Sequence, residues 1–370
     1  MALKRKKKIR YAVVGLGHIA QVAVLPAFAN TKNSELAALV SDDPTKLEEL
    51  GKKYGVEHCY NYAQYQQCLA SGEVDAVYIA LPNHMHCEYT VAAAGAGVHV
   101  LCEKPMAVTE GECRQMIDAA EERNIKLMIA YRLHFEEGNL EAVRIASSGE
   151  IGDPRMFTSL FNMRVRPDNI RIKRAAGGGT LYDIGIYCIN AARYLFQDEP
   201  TEVMACSAAN RQDERFREVD ETTSAIMRFP GERLASFTSS FGAADVSTYQ
   251  VAGTRGDLRM DPAYGYAAPL QQFLTIDGTT TKRKFRKRDQ FAAEIEYFSD
   301  CIFKDTEPEP SGEEGLIDVR IIRALYQSAA SGKAIKLEDF PHDERPEPSQ
   351  AIHKPPVREP RPVHAESPHK

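Results

Sequence analysis

Short apolar runs alternate with amphipathic stretches over the first third of the chain. Runs with strand character occupy residues 10–14, 35–40, 75–80, 99–102 and 126–130. Between them, helical spacing begins after a glycine turn at 15–20. It recurs at 46–54, where Gly55 closes it, and at 86–94, where Gly95 does. Thr109-x-x-Glu112 has the spacing of a capping box ahead of a further helix that reaches Arg123. Strands alternating with helices predict βαβ units and a parallel, doubly wound sheet.

The pattern changes between Tyr131 and Gly138. After one helix at about 139–147 come longer runs at 156–165, 202–209, 222–229, 234–241 and 247–260. Helical spacing returns only at 178–196, 291–303 and 315–330. Successive strands without helices between them predict an open, mainly antiparallel sheet. The expected fold class is α/β plus α+β, an N-terminal Rossmann sheet followed by a C-terminal sheet domain. The expected division is a basic lead-in at 1–8, a dinucleotide-binding domain at 9–134, a substrate-binding and oligomerisation domain at 135–340, and a flexible tail at 341–370. That tail holds eight of the chain's 20 prolines and almost nothing apolar, a composition that cannot offset its own ordering entropy. A mobile, polyproline-like segment outside the fold is expected there.

Composition narrows the function. A formal net charge of −6 argues against general nucleic-acid binding. No apolar run approaches the roughly 20 residues that span a bilayer, and no apolar stretch of signal-peptide type follows the basic start. Eight cysteines without C-x-x-C spacing read as free thiols in a reducing, cytoplasmic setting. His84 and His86 are close, but no thiolate cluster completes a zinc site, so no metal is expected.

Gly15-x-Gly17-x-x-Ala20 follows a strand and opens a helix, the context in which such a turn cradles a pyrophosphate at a helix N-terminus. The end of the second strand, where an adenosine ribose would lie, reads Val40-Ser41-Asp42-Asp43-Pro44-Thr45-Lys46. Ser41 and Lys46 favour a 2′-phosphate and NADP. Asp42 and Asp43 favour NAD unless they turn outward to cap the next helix. Leu81-Pro82-Asn83-His84-Met85-His86 and Glu103-Lys104-Pro105 end the third and fourth strands, on the side where such sheets bind ligands. Asp183 and Tyr187, four apart in a helical stretch, can share one face. There Tyr187 could exchange a proton with a hydroxyl while Asp183 orients its neighbours.

These motifs, with Gly177-Gly-Gly-Thr-Leu-Tyr-Asp183, Arg193-Tyr-Leu and Met260-Asp-Pro, resemble the Gfo/Idh/MocA oxidoreductase family, and within it the glucose–fructose oxidoreductase branch. The resemblance runs from about Ile9 to Lys336. It implies cofactor contacts from Gly15, Gly17, His18, Ile19, Ser41 and Lys46, then from Leu81, Pro82, Asn83 and His86, and from Glu103, Lys104 and Arg132. It implies a catalytic set of Lys104, Asp183 and Tyr187, substrate contacts from these with Arg171 and Tyr266, and a cis Lys104–Pro105 peptide. The implied function is NADP(H)-dependent hydride transfer from the C1 hydroxyl of a pyranose to give a lactone, with a second sugar as acceptor. An NAD-dependent cyclitol dehydrogenase and a non-catalytic sugar or nucleotide sensor are the alternatives. The family also implies a homodimer or homotetramer through the C-terminal sheet.

Overall fold

The computed structural model describes residues 8–340 and 345–369. The basic lead-in apart from Lys8, and the first four residues of the tail, lie outside the described residues. The first unit contains β1 (Ile9–Val14), α1 (Leu25–Ala27), β2 (Ser34–Val40), α2 (Pro44–Tyr54), β3 (His58–Tyr60), α3 (Tyr65–Ala70), β4 (Ala76–Ile79), α4 (His86–Gly95), β5 (His99–Glu103), α5 (Glu110–Glu122) and β6 (Leu127–Ala130). Its six strands run parallel in the order β3-β2-β1-β4-β5-β6. The order reverses at β1, flanked by β2 and β4. A crevice opens beyond the carboxyl ends of strands at such a switch point. β4 and β6 are buried at every position, as strands covered on both faces must be. The three-residue edge strand β3 was not expected; it is too short to show a period.

The second unit continues with α6 (Glu137–Ser147), β7 (Pro154–Asn162), α7 (Ile186–Phe196), β8 (Glu202–Ala208), β9 (Thr222–Phe229), β10 (Arg233–Ser240), β11 (Val246–Gly253), β12 (Gly256–Met260), β13 (Gln271–Ile276), β14 (Thr279–Lys284), α8 (Gln290–Lys304), α9 (Gly312–Ser331) and β15 (Ile335–Lys336). The nine strands follow the order β14-β13-β12-β11-β7-β10-β9-β8-β15. Every pair is antiparallel except β7–β10. β9 alternates buried and exposed positions, as expected when one face packs on helices and the other does not. The single run expected at 247–260 is two strands. The β13–β14 hairpin was missed, although its Asp277-Gly278 turn, with φ of +48° and +77°, is a strong hairpin signal.

Two expectations are corrected. The division at residue 134 does not describe the packing, because α8 returns to the first sheet. Phe291, Ile295 and Phe298 are buried in one cluster with Tyr11, Val13 and Tyr78. The hydroxyl of Ser299 lies 2.7 Å from that of Tyr11 and 2.8 Å from that of Ser34. That face of the parallel sheet needs apolar cover, and α8 supplies it. The second correction concerns the tail. Residues 345–369 carry only a short 3₁₀ turn, Pro348–Gln350, as their proline content requires. They are nonetheless laid along both units. Asp289 N–H donates to Lys354 O at 3.2 Å and Asn30 Nδ2 to Pro355 O at 2.8 Å, while Lys354 pairs with Glu296. Prolines restrict the unbound chain, so ordering it costs less than composition alone suggests.

All eight cysteines are free thiols. Among the described residues, no helix is long and apolar enough to cross a membrane.

The helices of the second unit are joined by a buried ionic node. Arg193 on α7, 1% exposed at its side chain, donates to Glu199 at 2.6 Å, Glu314 at 2.9 Å and Asp318 at 2.7 Å. Burial pushes the Asp318 carboxyl up to about 7, against the pull of Arg193. Removing one partner of such a node strands the others in low dielectric. Arg193→Leu is therefore expected to cost about 3–5 kcal/mol, measured as a lowered midpoint in urea unfolding. A midpoint within error of the parent would contradict this account of the node.

Candidate active site

Every residue expected at the site lies on the wall of one crevice of about 670 Å³ between the two sheets. Its floor begins at the glycine turn. Gly15 has φ +92°, and a Cβ there would stand 2.6 Å from Ala80 O, so only glycine permits the approach of β1 to the β4 loop. At Gly17 an added Cβ meets nothing within 4 Å, which leaves the open room a pyrophosphate needs. The helix that follows winds as a π-turn over Ala20–Val24. The N–H groups of its first turn, at His18 and Ile19, lack intrahelical acceptors and suit an anion. A dinucleotide thus fits the residues present.

The two acids after Ser41 are both turned to other work. Asp43 caps α2 by accepting from Lys46 N–H at 3.1 Å, with Pro44 at the first helical position. Asp42 accepts from Tyr62 N–H at 2.8 Å and is absent from the crevice wall. Ser41 and Lys46 remain on the wall, joined by Tyr62, which the sequence reading did not single out.

Asn83 donates from Nδ2 to Gly177 O at 2.8 Å and so ties the β4 loop to the second unit. His86 is fully buried, with Nδ1 2.9 Å from Pro105 O and Nε2 2.9 Å from Leu81 O. Both ring nitrogens therefore face backbone carbonyls, and the ring fastens the Pro105 turn to the Leu81 loop. Burial pushes it below its usual basicity. His86, expected as a cofactor contact, lies on the crevice wall and positions these two loops. Glu103 also faces inward in part: the Tyr78 hydroxyl lies 2.9 Å from its Oε1 and 3.0 Å from Glu294 Oε1. One hydroxyl proton cannot satisfy two carboxylates. Burial first, and then the nearby Glu103, push the Glu294 carboxyl well above its usual range.

The Lys104–Pro105 peptide is cis, as the resemblance implies. Lys104 reaches across to the second unit, where Nζ donates to the backbone oxygen of Asp183 at 2.7 Å and lies 3.6 Å from its carboxylate. The same ammonium stands 4.7 Å from the centroid of the Tyr187 ring. Asp183 sits in a π-turn, Leu181–Gly185, directly before α7. Such turns occur often at functional sites because they re-aim side chains. Arg171 Nε donates to Asp183 Oδ2 at 2.7 Å. Its loop comes that close because Gly178 lies beneath it: a Cβ there would stand 2.3 Å from Arg171 O. Burial works against charge on Asp183, but Arg171 first and Lys104 next hold its carboxyl below the usual range. Each carboxylate oxygen keeps a lone pair for a hydroxyl.

Arg132 lies on the other side of Tyr187. It donates to Tyr264 O at 2.6 Å and to the Tyr187 hydroxyl at 3.3 Å, bonds Gln290, and stacks at 5.2 Å over both the Tyr187 and Tyr266 rings. Phe161 and Tyr264 complete an aromatic wall around Tyr187, at 5.6 Å and 5.9 Å between ring centroids. Sequence reasoning missed Phe161, Phe291 and the tail residues Glu359, Ser367, Pro368 and His369, all of which line the crevice. Nothing in a proline-rich composition signals the last four.

Comparison with known proteins agrees with this geometry. Residues 9–131 match the model of an oxidoreductase family with an NAD-binding Rossmann fold, Gfo/Idh/MocA. Residues 139–259 match the GFO/IDH/MocA C-terminal domain. A D-xylose 1-dehydrogenase [NADP(+)] of Haloarcula marismortui is 33% identical over 89% of this chain and 93% of its own. A dTDP-3,4-didehydro-2,6-dideoxy-α-D-glucose 3-reductase of Saccharopolyspora spinosa is 31% identical over 89% and 97%. The crystal structure of an aldose-aldose oxidoreductase from Caulobacter crescentus, complexed with glycerol, superposes with a TM-score of 0.86 at 38% identity, covering 90% of this chain and all of that one. With both units matched in order and the expected residues gathered on one crevice, the chain belongs to the Gfo/Idh/MocA oxidoreductase family.

Proposed function

We propose that the protein is an NADP(H)-dependent sugar oxidoreductase that takes the C1 hydroxyl of a pyranose to the lactone and returns the reducing equivalents to a second sugar. The observation that carries this reading is the meeting of Lys104, Asp183 and Tyr187, drawn from both units, beside the glycine turn. The aromatic wall of Phe161, Tyr264 and Tyr266 suits the apolar C–H face of a sugar ring. Arg171, Asp183 and Lys104 suit its hydroxyls. Relatives named as an NADP-dependent xylose dehydrogenase and an aldose-aldose oxidoreductase support the same choice.

A bound nicotinamide dinucleotide supplies the two-electron acceptor or donor, held by the glycine turn, Ser41 and Lys46, Leu81 to Asn83, and Glu103. Tyr187 Oη takes the proton of the C1 hydroxyl in oxidation and returns it in reduction. Lys104 and Arg132 flank the ring and stabilise negative charge developing on its oxygen. Asp183, kept ionised by Arg171, accepts from a neighbouring hydroxyl and fixes the ring's orientation. The reading as an NAD-dependent cyclitol dehydrogenase rested on Asp42, which bonds Tyr62 and stands off the wall. The reading as a non-catalytic sensor fits a site that has lost its acid/base residue, whereas this one keeps all three.

The outer face of the second sheet supports self-association. Met156, Leu160, Met204, Ile226 and Leu234 are each 43–52% exposed on β7 to β10. An apolar face of this kind marks an interaction surface, and a second copy of the sheet would cover it.

Three outcomes test these points. Tyr187→Phe should lower kcat by about 10²–10⁴, while the Kd for NADPH, read by fluorescence titration, stays within about threefold; parent-like turnover would refute the acid/base role. Joint Ser41→Ala and Lys46→Ala should weaken NADP⁺ at least tenfold more than NAD⁺, and equal losses would defeat the cofactor assignment. Joint Leu160→Asp and Ile226→Asp should convert a dimer or tetramer to monomer in light scattering; a parent chain already monomeric at micromolar concentration would exclude the interface.

A further inference from the structure

The tail does more than lie on the surface. Gln21, 1% exposed, donates from Nε2 to Leu16 O at 2.9 Å inside the glycine turn, and from the same nitrogen to Val363 O at 2.9 Å. Its Oε1 accepts from Val363 N–H at 2.7 Å. One buried amide thus joins the pyrophosphate turn to the tail. One residue on, His364 turns the chain with φ +44° and places Nδ1 3.1 Å from Asp43 Oδ2, at the cap of α2 beside Lys46. The segment then crosses to the second unit. Glu366 pairs with Arg166 at 2.5 Å, Arg166 N–H donates to Pro368 O at 3.0 Å, and His369 forms an antiparallel bridge with Val165. Between these anchors, Glu359, Ser367 and His369 face the crevice.

From this geometry we infer that residues 359–369 are part of the dinucleotide site, a strap fastened to both walls that must open for the cofactor to enter or leave. The inference rests on the dinucleotide reading above and adds the segment that controls exchange. The strap's two ends are held differently. The Gln21 contact is buried, whereas the Glu366 and Arg166 side chains are 74% and 42% exposed. Contacts exposed to water open more readily than buried ones, so release begins at the second unit and pivots about Val363. Because the strap joins the pyrophosphate turn to the loop before Arg171, its closure also holds the two walls at one separation.

The test is the rate at which bound NADPH is lost when the loaded full-length protein is mixed with excess NADP⁺, followed by fluorescence. Glu366→Ala, a change at an exposed side chain that leaves the core intact, should speed release severalfold. Combined with Val363→Pro, which deletes the N–H that Gln21 accepts, it should speed release at least tenfold. Release within twofold of the parent from both variants would overturn the strap while leaving dinucleotide binding in place. Failure of the parent chain to bind NADPH at all in equilibrium dialysis would remove the dinucleotide reading, and the strap with it.

Discussion

The site depends on one cation reaching across a domain boundary. Lys104 extends from the end of β5 in the first unit, and its ammonium is held by the backbone and carboxylate of Asp183 in the second. An ammonium removed from water needs close acceptors, and here they come from the chain segment that also carries Tyr187. The pairing that satisfies the charge therefore sets the distance between the two halves of the chemistry. Arg171 makes the arrangement robust by holding the second oxygen of the same carboxylate. The aromatic wall keeps the group partly dry, which strengthens each of these interactions.

Much of the first unit was legible because its strands are buried on both faces and read as continuous apolar runs between glycine-bounded helices. The glycine turn, the Lys104–Pro105 turn and the Asp183–Tyr187 pair were visible as local motifs, and the fold brings them to one crevice. What escaped had nonlocal causes. β3 is a strand only because Ala38 to Val40 offer it partners. The return of α8 follows from an uncovered sheet face that no local pattern reports. The tail's course follows from scattered acceptors and donors, among them Gln21, Asn30 and Arg166, each ordinary in sequence. The β13–β14 hairpin is different, since Asp277-Gly278 announced it and the surrounding polar threonines and lysines hid it.

Sequence motif and side-chain role also separate at His86 and Glu103. Both lie where cofactor contacts were expected, yet His86 turns both nitrogens to backbone and Glu103 shares the Tyr78 hydroxyl with Glu294. From the crevice wall they also hold the loops that bear Asn83 and Lys104. A polar residue in a binding motif can thus act through the shape of the loop it secures.

The recrossing by α8 has a consequence for biogenesis. A chain emerging amino end first must present residues through 304 before α8 covers its face of the Rossmann sheet, and through α9 before Leu316 and Ile317 cover the face of β5 and β6. Until then a nascent polypeptide carries an exposed hydrophobic flank through the synthesis of a whole second β-sheet. Long-range closure of this kind slows assembly and invites chaperone engagement. The dinucleotide-binding half precedes the second sheet along the chain and is among the last parts to be finished.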